Sequence, residues 1–230
     1  STRPDVVGMT FIASEFPVGL ELLREVKRFD PEILTVAGGL HAQLCPEDFD
    51  DEAVDVLSVS QAPQVFLEIL EALEHKRALD QIGGIMIRNG RGLGLTGAPG
   101  PTWDFAGRDF VAPDRSLICR WFPIYRMGPA QGPHTYLFTS LGCPHQCSFC
   151  SIWPQFDGTY HQRDVESVID ELKTLDEFEI VRFADGNTVV DPRWIEPLFD
   201  RIEEEELEKT YVMDIRVDTA ARNPRLIEKL

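Results

Sequence analysis

The chain has 230 residues, 43% of them apolar, with a mean hydropathy of −0.16, which is enough to bury a substantial core in one or two domains. Its 39 acidic residues against 22 basic ones give a formal charge of −17, so nucleic acid and anionic membranes are repelled rather than attracted. No run approaches the ~18 apolar residues of a membrane span and no signal peptide is visible, so the sequence reads as cytoplasmic.

Asp5–Ile12 is a short apolar run of the kind that forms a buried parallel strand. From Pro17 to Phe29, Val18, Leu22, Leu23, Val26 and Phe29 recur at helical spacing, with the proline in the first turn. Ile33–Ala37 reads as a second strand and runs into Gly38-Gly39-Leu40-His41-Ala42. Val54–Val59 is a third, followed by a helix from about Pro63 to Leu79. Strand and helix alternate, which predicts a parallel sheet covered on both faces. Glycines at the end of such a strand let a ligand approach the backbone, although a tight turn needs the same residues. His41 reads first as a loop histidine bonded to backbone. Asn89-Gly90, between the apolar segments of Ile85–Leu95, predicts a hairpin. Cys45 and Cys119 stand singly and read as structural.

The second half repeats the strand–helix rhythm. Thr135–Thr139 is a strand that leads into Ser140–Ser151, a segment holding Cys143, Cys147 and Cys150. Asp164 starts a helix with Val165, Val168, Ile169, Leu172 and Leu175 on one face. Ile180–Ala184 is the next strand, ending at Asp185-Gly186-Asn187, and Asp191-Pro192 gives an N-cap and a first-turn proline for a helix that Pro197 is expected to bend. Tyr211–Val217 reads as a third strand, and Asn223-Pro224 begins another helix. Three strand–helix units in succession predict a parallel barrel, whose sites lie at the carboxyl ends of the strands, where the cysteine segment falls. The chain opens almost directly in a strand and closes on a helix just begun, so it reads as an excerpt of a longer protein.

Three thiolates crowded into one loop repel one another unless a metal centre takes them. They are one short of an ordinary all-cysteine zinc site or ferredoxin cluster, so a cubane held here has one iron open to a substrate. Zinc bound by the three cysteines with His145 or His161 is the competing reading. Disulfides are disfavoured by the clustering and the odd count, which point to a reducing compartment.

Cys143-x-x-x-Cys147-x-x-Cys150, with Phe149 before the last cysteine, resembles the signature of the radical S-adenosylmethionine enzymes. The resemblance implies a 4Fe-4S cluster on the three cysteines, whose open iron chelates S-adenosylmethionine and whose electron cleaves the sulfonium to a 5′-deoxyadenosyl radical. It implies that Phe149 sets its backbone against the adenine, that Asp185 and Asn187 lie near the methionyl amine or ribose, and that Arg216 meets the carboxylate. On the residues alone, Asp185 is equally a turn residue, and Arg216 could pair with Asp214 or Asp218.

The earlier strands, with Gly38 to Ala42 and then Pro46-Glu47, are similar to the later half of the cobalamin-binding domain that precedes the radical domain in many such enzymes. Gly38, Gly39 and His41 are the candidate cobalamin contacts this implies. Pro113-Asp114-Arg115 is similar to the family's linker. Three departures stand out: Ser60-Gln61-Ala62-Pro63 where the family commonly has Gly-Glu-Gly-Glu, no Asp-x-His-x-x-Gly motif, and Leu141 where the family often has arginine. The implied fold class is α/β: a partial Rossmann-like cobalamin-binding-type domain (1–80), a hairpin and linker (81–133), and the first part of a partial (β/α)6 radical barrel (134–230). The implied function is a radical enzyme, a cobalamin-dependent methyltransferase at an unactivated carbon, acting on a small molecule with a reduced ferredoxin or flavodoxin-type donor. The alternatives are a radical enzyme without cobalamin, performing oxidative cyclisation or rearrangement, and a non-catalytic zinc-binding module.

Overall fold

The structure is a computed structural model that describes residues 3–60, 63–97, 105, 110–124 and 132–229. The chain divides into two compact units, Ser1–Trp103 and Asp104–Leu230.

The first unit runs β1 (Val6–Thr10), α1 (Phe16–Phe29), β2 (Leu34–Gly38), α2 (Leu40–Leu44), β3 (Val56–Ser58), α3 (Gln64–Glu74), β4 (Ile85–Asn89) and β5 (Gly92–Leu95). Its five strands lie in the order β1-β2-β3-β4-β5. The first three pair in parallel, as Val6↔Leu34 and Val36↔Val56 show. The hairpin then adds two antiparallel strands, Val56 facing Ile87 and Arg88 facing Leu93, so the first part of the segment read as a connector extends this sheet. Period-two alternation sends neighbours to opposite faces. Ala37 and Leu57 pack with Leu20 and Leu23 of α1, while Val36 and Val56 pack with Val65 and Ile69 of α3. Both faces are covered, as the strand–helix alternation predicts. The helix expected to run to Leu79 stops at Glu74; the chain turns there through Lys76, whose φ is +52°.

The second unit contains β6 (His134–Leu137), β7 (Ser140–Gly142), α4 (Ile152–Gln155), β8 (Tyr160–Gln162), α5 (Val165–Leu172), β9 (Ile180–Phe183), α6 (Pro192–Glu204), β10 (Thr210–Val212), α7 (Val217–Arg222) and α8 (Pro224–Lys229). β6, β9 and β10 form one parallel sheet in the order β10-β9-β6, the arrangement of successive strands in a β/α barrel. Val181 and Phe183 pack against Val168, Leu172, Ile195 and Leu198 of α5 and α6. Asp191 caps α6 as expected, accepting from the Arg193 N–H at 3.0 Å, and Pro197 lies inside that helix.

A charged cluster is buried beneath this core. Glu171 of α5 is 3% exposed and Arg163 2%. Arg163 donates to Glu171 at 2.6 Å, and Arg115 donates to the other carboxylate oxygen at 2.8 Å. Both guanidinium groups also donate to backbone, Arg115 to the Tyr136 carbonyl at 2.6 Å and Arg163 to the Phe138 carbonyl at 2.9 Å and the Ser167 carbonyl at 2.8 Å, while Arg115 Nε donates to the Thr135 hydroxyl at 3.0 Å. The Arg163 guanidinium lies 3.6 Å from the Phe110 ring centroid. Arg115, of the Pro-Asp-Arg segment, therefore ties that segment to β6 and α5.

Removing one partner of a buried ion cluster strands the others. Glu171→Ala leaves two guanidinium groups uncompensated and is expected to destabilise the unit by about 3–5 kcal/mol, read as a lowered urea midpoint. A loss under ~1 kcal/mol, typical of an exposed pair, would contradict this burial.

Candidate metal centre

The cysteine segment leaves β6 and closes on itself. β7 pairs antiparallel with β8, Ser140 facing Gln162 and Gly142 facing Tyr160, so residues 143–159 form a loop with a sheet-bonded neck. Gly142 has a φ of +80°, and a Cβ there would meet the Thr159 carbonyl oxygen at 2.2 Å. Only glycine fits where the strands pinch together immediately before Cys143. Inside the loop, the Cys147 carbonyl accepts from the Cys150 N–H and the Trp153 indole, both at 3.1 Å, and the Ile152 N–H donates to Cys150 Sγ at 3.4 Å. All three cysteines are free; Cys143 is buried, Cys147 and Cys150 half-buried. The Phe149 side chain is 91% exposed, so it does not fill the loop.

Asp185, one residue beyond the Ala184 that follows β9, anchors the neck. Its Oδ1 accepts from the Thr139 N–H at 2.8 Å and the Ser140 N–H at 2.9 Å, and its Oδ2 accepts from the Thr139 hydroxyl. The residue is 4% exposed, and this burial pushes its carboxyl above the usual range, against the lowering by those hydrogen bonds. Its oxygens are thus taken up by the chain itself, and the residue positions the loop. Gly186 lies against the loop's far side, where a Cβ would meet Ile152 Cδ1 at 2.9 Å. Asn187 is 3% exposed, and neither its Nδ2 nor its Oδ1 has a hydrogen-bond partner. The Thr188 N–H donates to the Asp214 carbonyl at 2.9 Å, joining the carboxyl ends of β9 and β10.

Arg216 was expected within a strand reaching Val217. β10 instead ends at Val212, where its pairing with β9 stops, and Arg216 is the N-cap of α7. It donates to Asp218 Oδ1 at 2.9 Å, while Asp214 takes Arg182 at 2.8 Å. Arg216 Nη1 also lies 3.8 Å from Cys147 Sγ. A guanidinium there offsets the cost of a thiolate.

Neither His145 nor His161 joins the three sulfurs as a single-ion site. Tetrahedral zinc sets thiolate sulfurs ~3.8 Å apart, and among the described residues the cysteines of this loop form no group whose ligand atoms lie within 4.8 Å of one another. His161 Nε2 is 3.1 Å from the Thr159 hydroxyl. A thiol-only donor set is the kind an iron–sulfur cluster takes.

In the first unit, Gly39 has a φ of +94°, and a Cβ would meet Thr10 Oγ1 at 2.4 Å and Phe11 N at 2.8 Å. Its need for glycine is set by the end of β1 rather than by a ligand. A Cβ on Gly38 would meet Ser58 at ordinary contact distance, its Cβ at 3.5 Å and its carbonyl oxygen at 3.8 Å. His41 is not bonded to backbone through its ring: Nε2 pairs with Asp48 Oδ2 at 2.9 Å. Of the segment that departs from Gly-Glu-Gly-Glu, Gln61 and Ala62 lie outside the described residues.

Sequence comparison matches the Radical SAM superfamily to residues 137–230. The chain is 26% identical to hopanoid C-3 methylase of Methylococcus capsulatus over 98% of this chain and 43% of the relative. It is 30% identical to anaerobic magnesium-protoporphyrin IX monomethyl ester cyclase of Rubrivivax gelatinosus over 75% of this chain and 31% of that protein. The chain thus spans less than half the length of these relatives. Among solved structures, the cobalamin-dependent S-adenosylmethionine radical enzyme OxsB, with aqua-cobalamin and S-adenosylmethionine bound, has the same fold over 90% of this chain and 30% of its own, with a TM-score of 0.72 at 14% identity.

The raised carboxyl of Asp185 carries a pH signature. With a folded value above the ordinary 3.8, the native state binds more protons than the unfolded chain between the two values. Asp185 therefore withdraws stability as pH climbs through that window, and the loss levels off above it. Asp185→Asn keeps an oxygen for both N–H groups and a donor for the Thr139 hydroxyl. Its stability relative to the parent should rise from pH 4 to pH 7 in urea titrations, whereas a relative fall would refute the assignment. Asp185→Ala, which unpairs both N–H groups, should cost about 1–3 kcal/mol for each.

Proposed function

We propose that this chain, whose residues 137–230 match the Radical SAM superfamily, is part of a cobalamin-dependent methyltransferase that holds a 4Fe-4S cluster on Cys143, Cys147 and Cys150. When bound, the cluster, S-adenosylmethionine and cobalamin supply reductive sulfonium cleavage and delivery of a methyl group to an unactivated carbon of a small molecule. What supports the reading is a sheet-necked loop carrying three free thiols at the carboxyl ends of parallel strands, within the stretch that matches the superfamily.

The chain's own residues have distinct tasks in this reading. Gly142 and Asp185 fix the loop neck, so Cys143 starts from a set position. Arg216 lies beside Cys147, where it would offset negative charge and is the candidate partner for the methionyl carboxylate. The unpartnered amide of Asn187 is the candidate partner for an amine or a ribose hydroxyl. The Phe149 backbone, within the loop, is the candidate for the adenine edge. In the first unit Gly38, Gly39 and His41 are the candidate cobalamin contacts. Electrons would come from a reduced ferredoxin- or flavodoxin-type protein in a reducing cytoplasm; no described helix is long and apolar enough to cross a membrane.

A second reading keeps the radical chemistry without methyl transfer, and its support is the 30% identity to a cyclase. Retention of hydroxocobalamin on anaerobic gel filtration separates the two: stoichiometric retention is expected, and its failure leaves the second reading. For the cluster, anaerobic reconstitution should give about four irons and four acid-labile sulfides per chain, and Cys147→Ala should bring both below one per chain. Zinc without sulfide would overturn the proposal.

A further inference from the structure

Outside the cysteine loop, the described residues contain one group of three metal-ligating side chains with convergent ligand atoms: His41, Cys45 and Asp48. The His41 nitrogen, the Cys45 sulfur and an Asp48 oxygen all lie within 4.8 Å of one another, and His41 Nε2 and Asp48 Oδ2 already stand 2.9 Å apart. Atoms bound tetrahedrally to one zinc ion stand ~3.3–3.8 Å apart. Small rotamer changes of Cys45 and Asp48 therefore suffice to close the set.

The backbone that presents them is held at each step. His41 N donates to the Phe11 carbonyl at 3.0 Å, Cys45 N to the His41 carbonyl at 2.8 Å, and Asp48 N to the Cys45 carbonyl at 3.2 Å. His41 and Cys45 are four residues apart across α2, one turn along the same face. Asp48 follows in the 3₁₀ turn Pro46–Phe49. The imidazole lies against the Phe16 ring, centroids 4.9 Å apart, and the buried Phe49 ring at 5.4 Å, which fixes its plane. Asp48 is half exposed, so an ion has a path from solvent and room for water in a fourth position.

We infer that His41, Cys45 and Asp48 form a binding site for a divalent transition-metal ion, zinc by chemistry, with one nitrogen, one sulfur and one oxygen ligand and an open fourth position. Imidazole and thiolate select zinc over magnesium or calcium, which take oxygen ligands. On binding, the Cys45 thiol proton leaves to water, and the single ring proton of neutral His41 sits on the nitrogen that does not face the metal. The cluster ligands lie in the other unit, so this site stands whether or not they hold iron; with His41 on the metal, the candidate cobalamin contacts of this unit are Gly38 and Gly39.

The probe is cobalt(II), added to the chain with Cys119, Cys143, Cys147 and Cys150 all changed to Ser, which leaves Cys45 as the single thiol. One cobalt per chain is expected, with tetrahedral d–d bands and a thiolate charge-transfer band, both displaced by one equivalent of zinc. Cys45→Ser in this background should abolish the charge-transfer band, and Asp48→Asn, at a half-exposed carboxylate, should weaken binding at least ~10-fold. Circular dichroism follows the fold of each protein. In the same background, zinc should raise the thermal midpoint, and Cys45→Ser should remove that rise. A folded quadruple variant that takes up no cobalt, a charge-transfer band surviving Cys45→Ser, or unchanged affinity in Asp48→Asn would each overturn the site.

Discussion

The segment from Tyr136 to Ser140 leaves a parallel sheet and starts the cysteine loop, and its backbone groups must find partners as it goes. Charged side chains supply them. Arg115 takes the Tyr136 carbonyl and Arg163 the Phe138 carbonyl, while the Arg163 N–H takes the Thr139 carbonyl. Asp185 takes the N–H groups of Thr139 and Ser140. The Tyr136 and Phe138 carbonyls thus meet cations and the Thr139 and Ser140 N–H groups meet an anion, each in the sense that charge-assisted hydrogen bonding favours. Glu171 makes the scheme affordable, because a buried and a part-buried guanidinium group without a counter-charge would be strongly destabilising. The position of Cys143 rests on this arrangement more than on the short strands around it.

The same logic explains why the loop accepts its thiols. Most of the chain's excess acid is at its surface, where Arg201, for example, pairs with Glu166, Glu204 and Glu205. At the loop, Arg216, itself paired with Asp218, stands by Cys147, and the buried carboxylate of Asp185 is turned into the neck. The candidate metal loop thus sits in a strongly acidic protein with a guanidinium at one thiol and its buried carboxylate already committed to backbone N–H groups.

Much of this was legible in the sequence, and the gaps have physical causes. Long periodic segments such as Phe16–Phe29 and Pro192–Glu204, and apolar runs such as Leu34–Gly38, announce themselves by spacing. The three-residue strands β7 and β8 are too short to show a period, and they exist because the neck closes on itself. The five-residue helix α2 was hidden in what reads as a glycine loop. Arg163 and Glu171 read as surface charge on any composition rule; the one available hint was that Glu171 falls in the apolar register beside Leu172 and Val168. Arg216 was placed on a strand because Tyr211–Val217 alternates, yet alternation needs a paired neighbour, and the pairing with β9 reaches only Val212. Cys45 read as structural because its partners, His41 and Asp48, come together only through a helical turn and a 3₁₀ turn.

Both candidate metal sites follow from one topological fact. In a parallel sheet the helices return along the faces, so the loops leaving the carboxyl ends of strands are the segments least committed to packing. In the first unit the chain leaves β2 through Gly38-Gly39 and turns at once into the helix bearing His41 and Cys45. In the second it leaves β6 and enters the loop bearing Cys143, Cys147 and Cys150. At each exit a glycine with positive φ, Gly39 or Gly142, sets the bend against a neighbouring backbone. The glycines therefore aim the ligand-bearing segments, and the chemistry belongs to the side chains that follow. This is why glycine pairs alone are weak evidence for a nucleotide or corrin tail: in Gly39 the positive φ and the absent side chain are already required by Thr10 and Phe11.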